Sequence, residues 1–296
     1  MIKIRFERVI DMLLKIATLL LSAALGFSVG SSFGHTDSFD VAREAKSAIL
    51  HTMSELKGGK SHRGALNWYV KRNPDHKQPA LGPEQKVIEK YNAFYVDPNH
   101  GDDSEDKVIY LTFDAGYENG NIAKILDVLS EEDVPAAFFI LENLISSNAP
   151  LLKRMEDEGH FVCNHTTKHR DMSCVDSMDE FKKELESLET MYYNATGKSM
   201  KKFFRPPEGR FDEDDLKFAD ELGYTTILWS LAYADWDNNK QPSTEYAKEK
   251  LLSNTHNGAI ILLHPTSSTN AEIMRDLIKA WKADGYSFGT LDMLEK

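Results

Sequence analysis

Beyond residue 106, short apolar runs alternate with longer amphipathic segments, and this alternation limits the possible folds more than any other feature. The short runs are rich in β-branched and aromatic residues, as strands are, whereas the longer ones have helical spacing. The predicted strands are residues 108–113, 136–141, 161–163, 202–205, 225–229, 259–263 and 286–291. The predicted helices are residues 122–131, 149–158, 178–194, 212–222, 244–253 and 271–283. Strands that alternate with helices build a parallel sheet.

Seven strands separated by helices in about two hundred residues indicate an α/β fold in the form of a distorted or incomplete (β/α) barrel. An open doubly wound sheet is the alternative. Both architectures place functional side chains at the carboxyl ends of the strands. We assign residues 105–296 to this main domain.

Residues 35–104 are polar and interrupted by turn signals, and they are predicted to be an extension that packs on the main domain. Two aromatic pieces, residues 66–70 and 87–95, supply the packing surface. The whole chain is 41% hydrophobic and 28% charged, with a formal net charge of −12 at pH 7. Because binding to a polyphosphate needs a basic surface, no nucleic-acid partner is expected.

The first 34 residues have the layout of a signal peptide or membrane anchor. Lys3, Arg5 and Arg8 precede an uncharged run at residues 16–29, and small polar residues follow. The run is shorter than the ~20 residues of a comfortable membrane span, so cleavage and anchoring both stay open, and a buried helix is the alternative. The protein is therefore predicted to be exported, and to contact the membrane only through this segment.

Polar residues lie at or beyond the carboxyl ends of several predicted strands. They are Asp114, His165, Arg205, Asp235 and His264. Because parallel strands end at one edge of a sheet, these side chains are expected to converge.

His165 and His169 are four residues apart, and on a helical turn both rings would share one face. Neutral imidazoles suit Zn²⁺, Co²⁺ or Ni²⁺, so a divalent metal is expected there. Cys163 lies two residues before His165 and could add a thiolate, or form a disulfide with Cys174 in an exported chain. Buried thiols are the simplest interpretation of both cysteines.

Asp114 is a candidate general base, with a helix N-cap as the alternative role. An ordinary Asp is a weak base at neutral pH, so this role requires a raised pKa or a metal-bound water. Arg205 can orient Asp114 by a bidentate contact. His264 is a candidate general acid, and Asp235 can set its tautomer and raise its pKa.

The motifs TFDAG, HTTKH, RPPE, DW and LLH, between Thr112 and His264, resemble in order those of the polysaccharide deacetylase (nodulation-B-like) superfamily. The run FDAGYENGN and an upstream NWYVKRNPDH segment are similar to the delta-lactam-biosynthetic de-N-acetylases of endospore formers. That resemblance makes residues 105–296 a catalytic domain. It implies hydrolytic removal of the N-acetyl group from N-acetylmuramic acid in spore cortex peptidoglycan, leading to muramic delta-lactam.

The resemblance also assigns roles by position. Asp114 is similar to the family's base, Arg205 to the residue that positions it, and His264 to the acid. Asp235 and Trp236 are similar to the pair that tunes the acid and lines the groove, where the flat face of Trp236 suits a sugar ring. The two metal ligands correspond to His165 and His169.

Ala115 departs from the family pattern, because most members have there an Asp that completes the metal site. We expect a labile divalent metal, Zn²⁺ first, held by the two histidines, water and substrate. A different ligand, namely Glu118, Asn119 or Cys163, and a metal-free site are the alternatives.

Further side chains are expected to contact the glycan strand. The backbone N–H groups of Gly116 and Tyr117 are placed to stabilise an oxyanion, and Pro207 stiffens the loop after Arg205. A lactyl carboxylate on muramic acid calls for a cation, for which Arg170 and Arg210 are the candidates. The alternative functions are a deacetylase of N-acetylglucosamine or chitin oligomers, and a non-catalytic wall-binding protein.

Overall fold

A mostly parallel, curled sheet organises the chain in the computed structural model, which describes residues 64–71 and 75–294. The strands of the described residues are β1 (Leu66–Asn67), β2 (Ala93–Phe94), β3 (Val108–Ala115), β4 (Ala137–Ile140), β5 (Phe161–Asn164), β6 (Lys201–Phe204), β7 (Arg210–Phe211), β8 (Thr225–Ile227), β9 (Leu231–Ala232), β10 (Ala259–Leu263) and β11 (Ser287–Phe288).

The sheet follows the order β2-β8-β6-β5-β4-β3-β10-β9, and β11 pairs with the first residues of β3. Consecutive strands lie side by side from β3 to β6, as is usual for strands joined by short connections. Val96, just after β2, forms an antiparallel bridge with Ala259 on β10, so the two flanks of the sheet approach each other. The predicted incomplete (β/α) barrel is confirmed.

Amphipathic helices cover the outside of the sheet. Within the described residues they are α1 (Asn121–Glu131), α2 (Glu142–Asp157), α3 (Met178–Thr196), α4 (Glu213–Glu221), α5 (Thr244–Asn254) and α6 (Ser268–Ala283). Serine hydroxyls at positions 177, 243 and 267 accept the backbone N–H three residues later and so cap α3, α5 and α6. A reciprocal box between Asp212 and Asp215 caps α4.

Alternation along β3 separates the helix side of the sheet from the barrel interior. Leu111, Phe113 and Ala115 belong to the apolar cluster shared with the helices. Tyr110 belongs to the cluster inside the barrel. Because strand residues two apart share a face, Asp114 follows Tyr110 onto the inner face at the end of the strand.

Residues 35–63 and 72–74 of the predicted extension lie outside the residues that the structure describes, and its described part contributes directly to the sheet. β2 pairs in parallel with β8, although no strand was predicted there. The indole N–H of Trp68 donates to the carbonyl oxygen of Trp229 at 2.8 Å, and its backbone N–H donates to the carbonyl oxygen of Gly209. Gly209 has φ 64°, and an added Cβ would lie 2.6 Å from the Trp229 ring. Only glycine fits at this close approach of the extension to the loop after Arg205.

Helix α2 departs from the prediction for residues 149–158, because it begins at Glu142. Asn148 is non-helical (φ −143°, ψ 40°), and Pro150 lies just beyond it. The structure therefore joins two helical pieces across a kink, and the polar first piece has too few apolar residues to be recognised from periodicity.

The predicted signal peptide or anchor falls at residues 1–34, outside the residues that the structure describes. Among the described residues, no helix combines the length and apolar content needed to cross a membrane. Cys163 and Cys174, both in the described part of the chain, form no disulfide. Cys163 is a buried thiol, whereas Cys174 is only half-buried.

Candidate active site

Asp114 and Arg205 form a buried ion pair at the carboxyl end of the barrel. Arg205 Nη1 donates to Asp114 Oδ1 at 2.7 Å. Its Nη2 donates to Thr112 Oγ1 at 2.8 Å and its Nε to the carbonyl of Ile227 at 3.0 Å. The expected bidentate contact is therefore wrong, because Thr112 takes the second guanidinium nitrogen. The guanidinium is fixed on several sides, and it holds the carboxylate in one orientation.

The surroundings of Arg205 explain how a fully buried cation is tolerated. Its Cζ lies 4.1 Å from the ring centroid of Phe139 and 5.8 Å from that of Trp229. Aromatic faces stabilise a cation that has lost its water. Thr112 was not foreseen as part of this arrangement, although its position two residues before Asp114 places both side chains on one face of β3.

The pKa of Asp114 lies below its ordinary value. Burial alone would raise this pKa, but the charges of His165, Arg205 and His264 together lower it. Burial lowers the pKa of His165 to about 4, so its ring is charged only in the acidic range where Asp114 titrates. At pH 7 the His165 ring is neutral, and Arg205 is the cation adjacent to Asp114. A general base at this position requires either a raised pKa or a metal-bound water, and the raised pKa is not found. The proton acceptor is an ionised carboxylate, which needs an acidified water as its partner.

His165 directly follows β5 and presents one nitrogen to the site. Its Nδ1 lies 2.8 Å from the carbonyl oxygen of Arg205, so Nδ1 must carry the hydrogen that this acceptor receives. In the neutral ring, Nε2 is then an acceptor, and it lies 3.4 Å from Asp114 Oδ2. Two acceptors facing each other at this distance suit a bound cation, and a carbonyl behind the imidazole is typical of metal-ligating histidines.

His169 lies beside His165, with ring centroids 5.0 Å apart and an interplanar angle of 74°. The expected helical turn is wrong, since no helix forms between residues 165 and 171, all of which the structure describes. Instead, Thr166 and His169 adopt left-handed backbone conformations (φ 69° and 58°). Asn164 Oδ1 accepts the Thr166 N–H at 2.9 Å and supports this strained loop.

A third protein ligand is not evident in the described part of the chain, where no group of three or more His, Cys, Asp and Glu could hold a metal ion. The side chain of Ala115 packs on the helix side of the sheet. Glu118 accepts from the backbone of its own turn, and Asn119 donates to the carbonyl of Thr266. Burial raises the pKa of Cys163, which stays a thiol. The donor set fits a cation held by His165 and His169 with few other protein ligands.

His264 and Asp235 form the second pair of the site. His264 follows β10, and its Nδ1 lies 2.8 Å from Asp235 Oδ1, while its backbone N–H donates to Oδ2 at 2.8 Å. Burial lowers the pKa of His264, but the charge and hydrogen bond of Asp235 outweigh this effect and raise it above the ordinary value. The charge of Asp114 raises it further, so the two groups share one electrostatic environment. The ring is held as a proton donor.

Two asparagines connect the loops that carry Asp114 and His264. The side-chain amides of Asn119 and Asn121 donate to the carbonyl oxygen of Thr266 at 2.8 and 3.0 Å. These contacts were not predicted, since they join residues about 150 positions apart, and nothing in the local sequence signals them.

Aromatic and small residues surround the Asp114–Arg205 and Asp235–His264 pairs. Trp236 is 52% exposed, and its ring centroid lies 6.4 Å from that of His264. Tyr117 is also exposed, and its hydroxyl accepts a hydrogen bond from Asn238. An added Cβ on Gly116 would lie 3.1 Å from Leu141. Exposed aromatic faces beside polar groups suit a sugar ring.

The other residues that were predicted to contact the glycan have partners within the protein. Arg170 Nη1 lies 2.7 Å from Glu180 Oε1, and Arg210 Nε lies 2.8 Å from Asp171 Oδ2. Both guanidinium charges are thus already compensated, and their role toward a substrate carboxylate stays a prediction. Pro207 is buried in a short 3₁₀ turn, Pro207–Gly209, that follows Arg205.

The barrel, its base and acid pairs and its two adjacent imidazoles define a hydrolase of amide or ester bonds on a carbohydrate. The sequence model for polysaccharide deacetylases matches residues 101–227. The chain belongs to the polysaccharide deacetylase family, whose peptidoglycan deacetylases are hydrolases acting on amide bonds.

Among curated proteins, the chain is 41% identical over 234 residues to the peptidoglycan-N-acetylmuramic acid deacetylase PdaA of Bacillus subtilis (strain 168). The match covers 78% of this chain and 87% of that protein. The solved structure of B. subtilis PdaA, a family 4 carbohydrate esterase, superposes with a TM-score of 0.72 at 40% identity, covering 78% and 96% of the two chains. A family 4 carbohydrate esterase from Bacillus anthracis has a TM-score of 0.63 at 36% identity, covering 78% and 95%.

Proposed function

We propose that this protein hydrolyses the N-acetyl group of N-acetylmuramic acid residues in peptidoglycan. The observation that carries the reaction class is the presence of two oriented groups at one rim of the barrel: the Asp114 carboxylate is held by Arg205, and the His264 imidazole is held by Asp235. A non-catalytic wall-binding protein has no use for both. The similarity to PdaA supports the muramic acid substrate.

The chemistry follows from these groups. Asp114 removes a proton from a water whose oxygen attacks the acetyl carbonyl carbon. The backbone N–H groups of Gly116 and Tyr117 are proposed to stabilise the oxyanion. The C–N bond then breaks, and His264 donates its proton to the departing amine nitrogen, so acetate and a free amino sugar result.

A divalent metal, Zn²⁺ first, is proposed to bind His165 and His169. Deacetylases of this family are generally metal-dependent. A bound metal would make water more acidic and polarise the acetyl carbonyl, which suits an Asp114 with a lowered pKa. Binding should be labile, because Ala115 offers no ligand atom.

Metal removal tests this site. Chelation should abolish acetate release, and added Zn²⁺, Co²⁺ or Ni²⁺ should restore it. Calorimetric titration of the chelated protein with Zn²⁺ provides a readout that is independent of activity. His165→Ala and His169→Ala should each remove the binding heat, whereas His76→Ala, in the extension, should retain it. Unchanged binding in both ligand variants would exclude this site.

Product analysis tests the substrate. Purified peptidoglycan is incubated with the protein and digested to disaccharides, and mass spectrometry identifies the sugar that carries a free amine. We expect deacetylated muramic acid or its lactam, and no product with Asp114→Asn. A free amine on glucosamine alone would favour the alternative, a deacetylase of N-acetylglucosamine or chitin oligomers.

The pH dependence of the reaction reports on His264. Asp235 raises the pKa of His264, so Asp235→Asn should lower it. Because the protonated ring is the active form, activity falls as pH rises through this pKa, and the alkaline limb of kcat should move to lower pH. Asp127→Asn, on the outer helix α1, should leave the limb in place. An unmoved limb in Asp235→Asn would remove His264 from the acid role.

The cellular setting is also proposed. The substrate lies outside the cytoplasmic membrane, and the basic and apolar start of the chain supports export, either secreted or anchored. The run FDAGYENGN supports a role in spore cortex, where the freed amine can attack the neighbouring lactyl carboxyl and close the delta-lactam. Cell fractionation during sporulation tests both statements, and a cytoplasmic location would contradict them.

A further inference from the structure

Asn270 lies behind the acid pair and was not among the residues singled out by the motifs. It is the third residue of α6 and is fully buried. Its side-chain Nδ2 donates to Asp235 Oδ2 at 2.6 Å and to the carbonyl oxygen of His264 at 3.0 Å. One amide group therefore contacts the carboxylate of the pair and the backbone of the imidazole-bearing residue.

The orientation of this amide is fixed by its other end. The hydroxyl of Tyr233, itself buried, donates to Asn270 Oδ1. The reverse orientation would place Oδ1 against the carboxylate of Asp235 and the carbonyl of His264, both acceptors. Tyr233 thus favours the arrangement in which both amide hydrogens face the acid pair.

The Asp235 carboxylate is consequently held on both oxygens. Oδ1 faces His264 Nδ1, while Oδ2 receives the His264 backbone N–H and the Asn270 amide. Without Asn270, Oδ2 would keep one donor, and the carboxylate would be free to rotate away from the imidazole.

We propose that Asn270 is a positioning residue that holds the Asp235–His264 pair in its working orientation, and that Tyr233 fixes the amide of Asn270 in turn. The inference deepens the proposed function and rests on it. Asn270 acts through Asp235, so its removal should lower kcat while KM for the glycan stays close to the original value.

The experiment compares matched alanine variants on acetylated peptidoglycan. Asn270→Ala should lower kcat on the order of 10- to 100-fold, the range that outer partners of an oriented imidazole carry. Tyr233→Phe, which removes one hydroxyl and keeps the ring, should give a smaller loss in the same direction. Asn257→Ala is the control, since Asn257 is also buried but bonds the backbone at the start of β3. It should lower the melting temperature and keep kcat.

A double-mutant cycle separates positioning from a general structural role. In the Asp235→Asn background, Asn270→Ala should cost much less in kcat than in the parent protein, because its partner is already lost. An equal loss in both backgrounds, or a parent-like kcat in Asn270→Ala, would overturn the proposal.

A substrate-free readout keeps this test distinct from the test of function. With ¹⁵N-histidine labelling, NMR detects the His264 Nδ1–H that faces Asp235. This signal should be lost to solvent exchange in Asn270→Ala and kept in Asn257→Ala. If the parent protein releases no acetate from peptidoglycan, the proposed function fails, and the NMR signal alone decides the role of Asn270. An unchanged signal in Asn270→Ala would overturn that role.

Discussion

Asp114→Asn should reduce acetate release by about 10³-fold or more, the upper part of the range for loss of a general base. The amide has the shape of the carboxylate and still offers an oxygen to Arg205 Nη1, but it accepts no proton from water. The fold should persist, because Arg205 keeps its bonds to Thr112 and Ile227. Acetate release and circular dichroism of the same preparation check both statements.

Asp127→Asn is the matched control for this variant. Asp127 is a carboxylate on the outer face of α1, where it pairs with Arg154. The control should retain full activity. Parent-like acetate release from a folded Asp114→Asn protein would show that another group removes the proton from water.

Arg205→Met should abolish activity and also lower the free energy of unfolding by about 3–5 kcal/mol, the usual cost of breaking a buried ion pair. Methionine leaves the Asp114 carboxylate, whose side chain is 10% exposed, without its cation. The hydroxyl of Thr112 and the carbonyl of Ile227 also lose a donor. Urea denaturation and acetate release measure the two effects.

Two further variants test this explanation. Arg154→Met removes an arginine from a partly exposed ion-pair cluster with Asp127 and Glu158, and it should cost about 1 kcal/mol or less. The double variant Asp114→Asn/Arg205→Met removes both buried charges, and it should regain part of the lost stability and none of the activity. An additive loss of stability in the double variant would contradict a coupled pair.

The sequence predicts the barrel well, because its strands are apolar runs with clear helical segments between them. β3 and β10 are recognisable for this reason. The two-residue strand β2 is not, since it exists through its pairing with β8, more than 130 residues away. Local patterns carry no information on such distant pairing. The start of α2 was missed because its first turns are polar.

The sequence indicated which residues form the site better than it indicated how their side chains and backbones are arranged. Asp114 lies at the end of β3, and His165 and His264 follow β5 and β10, so their convergence at one rim follows from topology. The left-handed loop between His165 and His169 did not follow, because αL conformations at Thr166 and His169 oppose their intrinsic preferences. The pairing of Arg205 with Thr112 depends on side-chain rotamers that spacing does not determine.

The extension that supplies β2 also covers surface that the rest of the barrel would otherwise expose. A shortened chain that starts at residue 105 would lack β2, so β8 would become an edge strand whose unpaired backbone groups could pair with another chain. It would also uncover the aromatic surface of Phe211 and Trp229 that Trp68 covers. Such a fragment should self-associate more readily than a chain that keeps residues 64–104, because more apolar surface is exposed.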